Sequence, residues 1–146
     1  MRFEISYPMN APRERVFEIL SDISRRPEWV GIASERSQIG EGESGAGSTY
    51  RAVDKIPGRM LEYVQTIDRM DAPRLLEESW DGPMGGRSLI RLEGEGAQTT
   101  VVVEADVASP VPRQLGFLEP LFRAWARRTF RQDLDRLSGL VADTPT

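Results

Sequence analysis

Apolar and polar residues alternate from the start of the chain. Phe3, Ile5, Tyr7 and Met9 are interleaved with Arg2, Glu4 and Ser6, and a period of two predicts a half-buried strand. Asn10-Ala11-Pro12 ends it. Proline suits the first position of a helix, Glu14 follows in the first turn, and Val16, Phe17 and Leu20 recur at helical spacing, which predicts a short helix over about 12–20. Ser21-Asp22 can cap a second short helical segment, and Arg26-Pro27-Glu28-Trp29 reads as a break followed by another turn. Gly40 to Gly47 carries four glycines with acidic neighbours and is read as a tight connection between strands. Beyond it the pattern predicts strands over Ser48–Asp54, Met60–Met70, Leu75–Asp81, Arg87–Glu93 and Thr99–Val107. Turn signals at Pro57-Gly58, Asp71-Ala72-Pro73, Gly82-Pro83 and Gly94 with Gly96 separate them. Consecutive strands joined by short turns imply an antiparallel meander.

The period then changes. After Ser109-Pro110-Val111-Pro112, the residues Leu118, Leu121, Phe122, Trp125, Thr129, Phe130, Leu134, Leu137 and Val141 recur at intervals of three and four. A helix over about 112–140 would be roughly 43 Å long at about 1.5 Å per residue. A domain of this size has a radius of gyration of only about 15 Å, so the helix must cross the whole sheet. Gly116 and Pro120 are expected to bend it near its start. The chain reads as one domain over 1–141, with 142–146 as a loose tail.

Composition removes whole classes of chemistry. The 146 residues include no His and no Cys, which excludes a Ser-His-Asp triad, a thiolate nucleophile, a disulfide and any imidazole- or thiolate-bound metal. Glu41 and Glu43 lie in a glycine-rich loop whose spacing does not match a calcium-binding hand, and no helix start follows Gly82-Pro83-Met84-Gly85-Gly86 to cradle a phosphate. No metal and no cofactor is expected. A net charge of −4 argues against nucleic acid as the main ligand. The one basic cluster, Arg123, Arg127, Arg128 and Arg131, reads as a solvated helix face. No leader-like segment and no apolar run long enough to span a bilayer is present, so a soluble cytoplasmic protein is the expectation, as monomer or homodimer.

The order is strand, two short helices, six strands and one long helix. Together with Asn10-Ala11-Pro12 before Val16-Phe17, Leu20-Ser21-Asp22-Ile23 running into Pro27-Glu28-Trp29, Gly45-Ala46-Gly47-Ser48, Gly82-Pro83 and Asp133-Leu134 with Leu137, it resembles the START-like SRPBCC superfamily, also called polyketide cyclase/dehydrase-like. The resemblance covers nearly the whole chain. It implies an α+β helix-grip fold, in which a curved antiparallel sheet of about seven strands surrounds the long C-terminal helix and leaves a pocket between them. Members bind lipids, sterols, polyketides and other apolar molecules, and only some are enzymes, so the resemblance implies a pocket better than a reaction.

Strand parity on that architecture names the pocket face. It puts Leu61, Tyr63, Gln65, Ile67 and Arg69 inward on one strand, and Ile67 opposite Glu78, Gln65 opposite Trp80 and Arg69 opposite Leu76 on the next. Ser88, Ile90 and Leu92 follow, then Val101, Val103, Ala105 and Val107, while Leu118, Phe122 and Trp125 face the sheet from the helix. The ligand-binding set is therefore Trp29, Leu61, Tyr63, Gln65, Ile67, Glu78, Trp80, Ile90, Val103, Leu118, Phe122 and Trp125. Trp29 is either a core anchor or part of the rim.

Glu78, Tyr63 and Arg69 are the candidates for acid–base catalysis, because an inward polar group must find a partner or line a wet cavity. Arg69 and Glu78 as diagonal neighbours are expected to pair, which makes Glu78 structural. Compared with the aromatase/cyclases of the family, a pocket arginine falls on Ile67, a pocket tyrosine near Ala33, and a pocket tryptophan becomes Arg26, so their catalytic set is missing. The expected function is carriage or sensing of a small hydrophobic molecule, lipid- or polyketide-like. The alternatives are a polyketide cyclase/aromatase or dehydratase, and a co-chaperone-like interaction module.

Overall fold

The computed structural model describes residues 1–94, 96–109 and 111–143. Seven strands form one sheet: β1 (Arg2–Met9), β2 (Ala33–Ile39), β3 (Thr49–Ile56), β4 (Arg59–Asp71), β5 (Leu75–Trp80), β6 (Gly86–Glu93) and β7 (Thr99–Val107). Their spatial order is β1-β7-β6-β5-β4-β3-β2, with every neighbouring pair antiparallel. Strands β2 to β7 make a continuous meander, and β1 closes against β7. Between β1 and β2 lie helix α1 (Arg13–Leu20) and a 3-10 helix over Ile23–Glu28. A second 3-10 helix, Arg113–Leu118, leads into the 25-residue helix α2 (Glu119–Asp143). This is the helix-grip arrangement of a curved sheet around a long C-terminal helix.

The strand before Gly40, implied by the glycine-rich connection, occupies Ala33–Ile39. The long helix starts later than 112, because Leu115 leaves helical geometry and the segment before Glu119 winds as a 3-10 turn. Ala142 and Asp143, expected in the tail, are the last residues of α2, and 144–146 lie outside the described residues.

Parity holds along most strands. Ser88, Ile90 and Leu92 on β6 and Val101, Val103, Ala105 and Val107 on β7 are all buried. On β4 it holds only up to Ile67. Gln65 faces Trp80 and Ile67 faces Glu78 as expected, but a register shift between Ile67 and Arg69 places Arg69 opposite Glu77 and Met70 opposite Leu76. One extra residue reverses the alternation, so Met70 turns inward and Arg69 outward into solvent.

The two ends of α2 are packed differently. Its later turns bury Leu134, Leu137 and Val141 with Val16, Phe17, Leu20 and Ile5, and Phe130 meets Phe3 edge-on at 5.2 Å. Its first turns leave Leu121 and Trp125 largely exposed. The sheet then leaves space beneath this lightly packed end of the helix.

Two glycines test this packing. A Cβ on Gly86 would press into the Asp106 carbonyl oxygen and lie 2.9 Å from Val107 Cα on the adjacent strand, whereas one on Gly139 in α2 would meet nothing within 4 Å. Gly86→Ala is expected to lower stability by about 1–3 kcal/mol through overpacking against backbone. Gly139→Ala is expected to raise it by about 0.5–1 kcal/mol through helix propensity. Urea unfolding of the two variants, with opposite displacements of the midpoint, checks both.

Candidate functional site

A cavity of about 180 Å³ lies between the sheet and the first half of α2. Its walls are mostly apolar: Phe3, Leu61, Ile90, Val103 and Val107 from the sheet, and Phe122, Trp125, Ala126 and Phe130 from the helix. Trp80 closes one side, and its indole N–H donates to the Met84 carbonyl at 2.8 Å. That bond draws the β5–β6 turn, with Asp81, Pro83 and Met84, onto the rim.

One part of the lining is polar, and its groups bond to one another. Arg26, from the 3-10 helix before Pro27, is 7% exposed, and Glu78, from the middle of β5, is 1% exposed. Arg26 Nη2 donates to Glu78 Oε1 at 2.8 Å, and the same guanidinium donates through Nε and Nη2 to the Leu20 carbonyl at 3.2 and 3.0 Å. The second oxygen of Glu78 accepts a short bond from the Gln65 amide, and Gln65 Oε1 accepts from Arg36 Nε at 2.9 Å. Arg36 Nη1 lies 2.8 Å from Asp54 Oδ1 in an ion pair, and Arg36 Nη2 donates to the Tyr63 hydroxyl at 3.0 Å. The Tyr63 hydroxyl donates in turn to Asp54 Oδ2. Two arginines and two carboxylates thus form one continuous, charge-balanced chain across the sheet and the 3-10 helix. Burial pushes the Tyr63 phenol above its ordinary pKa, with the Arg36 charge acting in the opposite direction.

Asp133 of α2 is the remaining carboxyl on the helix side of the cavity. Its Oδ1 accepts from the Gly31 amide at 2.9 Å and from Arg136 Nη1 at 2.8 Å. Burial raises its pKa above the ordinary value, and those two donors only partly offset the shift.

Of the residues expected to bind ligand, Trp29, Leu61, Tyr63, Gln65, Glu78, Trp80, Ile90, Val103, Phe122 and Trp125 line the cavity. Trp29 fills both of its alternatives: it is buried, with the Arg26 guanidinium 5.1 Å above its ring, and it faces the cavity. Ile67 does not line it, because it is completely buried within the apolar core and close packing leaves it no cavity surface. Leu118 does not line it either. It belongs to the 3-10 turn, whose three residues per turn set it out of phase with the α-helical face carrying Phe122 and Trp125.

The expected Arg69–Glu78 pair is absent, since the bulge carries Arg69 to the outer face and Arg26 takes its place. Arg36, Asp54 and Asp133 were not among the expected site residues. Parity on β3, where Ala52 pairs with Tyr63 and Asp54 with Leu61, carries the signal for Asp54. Arg36 required the position of β2, which no alternation announces.

Residues 1–142 match the family described as polyketide cyclase/dehydrase and lipid transport. The chain belongs to this family. Among solved structures it is similar to the ZhuI aromatase/cyclase from Streptomyces sp. R1128, with a TM-score of 0.78 and 16% identity over 97% of this chain and 93% of that one. It is also similar to a START superfamily protein from Mycobacterium smegmatis, with a TM-score of 0.75 and 16% identity over 97% of each chain. A third, TTHA0849 from Thermus thermophilus, gives 0.77 and 19% over 99% and 100%. At these identities the likeness shows the fold alone. No curated protein sequence matches this member of the family. Among its described residues no helix is long and apolar enough to cross a membrane, and no cluster of three or more acidic residues is placed to hold a metal ion.

Two measurements test this electrostatic reading. Glu78→Ala leaves the Arg26 charge buried and unpaired and is expected to cost about 3–5 kcal/mol of stability, most of which the double variant Arg26→Met/Glu78→Leu recovers. Chemical denaturation of the single and double variants gives the coupling. For Asp133 the native carboxyl holds its proton to higher pH than the unfolded one. Its contribution to stability is therefore full below the ordinary pKa of 3.8 and is lost as pH rises through the raised native value. Asp133→Asn is expected to remove that part of the pH dependence, read as a flatter stability profile just above pH 3.8.

Proposed function

We propose that this protein binds a small, neutral, mainly apolar molecule in the cavity and acts as its carrier or sensor. The observation that carries this reading is the closed charge balance of the polar lining. Glu78 is held by Arg26 and Gln65, and Tyr63 by Asp54 and Arg36, so neither is set up as an acid or base, and Arg69 faces solvent. An anionic ligand would find each buried arginine already matched by a carboxylate. A neutral ligand meets apolar walls and a few orienting dipoles, the usual composition of a small-molecule site. The size supports a compact molecule: an apolar cavity of about 150 Å³ is enough to take up benzene. The family description, with its lipid transport, and the START superfamily neighbour are in keeping with carriage.

A second reading, a cyclase or dehydratase, rests on Asp133. This carboxyl lines the cavity and burial raises its pKa, the direction a general acid needs. Under that reading Asp133→Asn abolishes turnover of a polyketide-like substrate and leaves its binding intact.

Native mass spectrometry of freshly purified protein, with an organic extract run in parallel, tests carriage directly. The expected result is a discrete added mass recovered as a neutral apolar compound. Titration with acetophenone or naphthalene, followed by tryptophan fluorescence, is expected to saturate. Ala126→Phe, which fills the cavity from α2, is expected to reduce that binding at least tenfold, as expected for loss of about 1.4 kcal/mol or more. A folded protein that takes up none of these compounds, or one that converts the recovered ligand, would overturn the carrier reading.

A further inference from the structure

A second apolar feature lies outside the cavity. Leu115, Phe117, Leu121 and Trp125 are 41, 73, 69 and 43% exposed, large apolar side chains concentrated within eleven residues. Leu115 and Phe117 belong to the 3-10 turn. Leu121 and Trp125, four apart, share one stripe of α2 pointing away from the buried Ala126, Leu134 and Leu137. Trp125 also lines the cavity and contacts Phe122, another lining residue, with ring centroids 5.2 Å apart. The exposed patch is therefore continuous with the cavity wall.

Such a concentration of exposed apolar side chains marks an interaction surface, and charge identifies what it meets. Residues 113–131 carry Arg113, Arg123, Arg127, Arg128 and Arg131 against Glu119 alone, a net of +4 within a chain of −4. Arg123 is paired with Glu119 at 3.0 Å, while Arg113, Arg127, Arg128 and Arg131 form no ion pair among the described residues. Arg128 continues the stripe of Leu121 and Trp125 by one turn and Arg131, three residues on, flanks it, whereas Arg127, two residues after Trp125, lies on the other side of the helix from that side chain. The order along the molecule is an apolar tip followed by a basic collar. A second copy of the chain, docked through the same patch, would bring two positive segments face to face. An anionic lipid surface satisfies both halves at once, taking the apolar side chains into the acyl boundary and the guanidinium groups at the headgroup phosphates.

We propose that the 3-10 turn and the first two turns of α2 dock on anionic lipid bilayers. Phe117 and Leu121 insert, Arg128 and Arg131 engage headgroups, and the mouth of the cavity lies against the apolar phase. This surface is separate from the cavity lining at Phe117 and Leu121, so its test does not depend on what the cavity holds.

The test is flotation of the full chain with unilamellar vesicles of phosphatidylcholine containing phosphatidylglycerol, against phosphatidylcholine alone, at low and high salt. Partitioning onto the anionic vesicles is expected to be at least about tenfold stronger, and to fall as salt is raised. Phe117→Ser/Leu121→Ser is expected to weaken it about tenfold or more with the unfolding midpoint unchanged. Arg128→Gln/Arg131→Gln is expected to remove the preference for the anionic vesicles. The proposal is overturned if the native chain floats with neither vesicle, or if the serine double variant partitions as the native chain does. It is also overturned if sedimentation shows a concentration-dependent dimer that Phe117→Ser disperses while vesicle binding is absent, which would assign the patch to a second copy.

Discussion

The buried ion pair between Arg26 and Glu78 is the constraint on which the site depends. It ties the 3-10 helix after α1 to the middle of the sheet, at a point where two apolar side chains would simply have packed together. Charged groups resist such collapse, because each must keep its partner and its hydrogen bonds. Arg26 directs its donors to Glu78 and the Leu20 carbonyl, and Gln65 relays the pairing to Arg36, Asp54 and Tyr63. The result is a polar lining that is rigid and neutral.

The rest of the architecture follows from where apolar mass is placed along α2. Leu134, Leu137 and Val141 fill the core with side chains from α1 and β1, so that end of the helix is fixed. Ala126 is small and Phe122 and Trp125 stand at the cavity edge, so the other end spans a space it does not fill. Core and cavity thus share one helix and one sheet face, divided near Phe130, whose ring lies against Phe3.

How far the sequence announces this can be traced residue by residue. Period-two alternation identified β1, β6 and β7 with their inward faces, and the change to a period of three and four identified α2, because both patterns are imposed by burial on one side. Parity also placed Gln65 opposite Trp80 and Ile67 opposite Glu78. It failed two residues later, because a bulge is a local insertion with no compositional mark, and Arg69 reversed sides. β2 was invisible to alternation because Ala33–Ile39 is a largely polar edge strand, and Arg36 was lost with it. Ile67 and Leu118 show a different limit. Parity tells which face a side chain takes, but whether it meets a neighbour or a void depends on helix phase and packing in three dimensions.

The uneven packing of α2 also sets the mechanical response of the domain. A beam clamped at one end bends at the other, and here the clamped end is the core while the unclamped end is the cavity roof. Outward displacement of residues 113–125 would enlarge the cavity while leaving Leu134, Leu137 and Val141 seated, and its cost would be confined to local contacts. On the carrier reading, the volume at rest would then be a lower bound on the largest guest. Compliance of the roof, more than the shape of the empty chamber, would set the upper one.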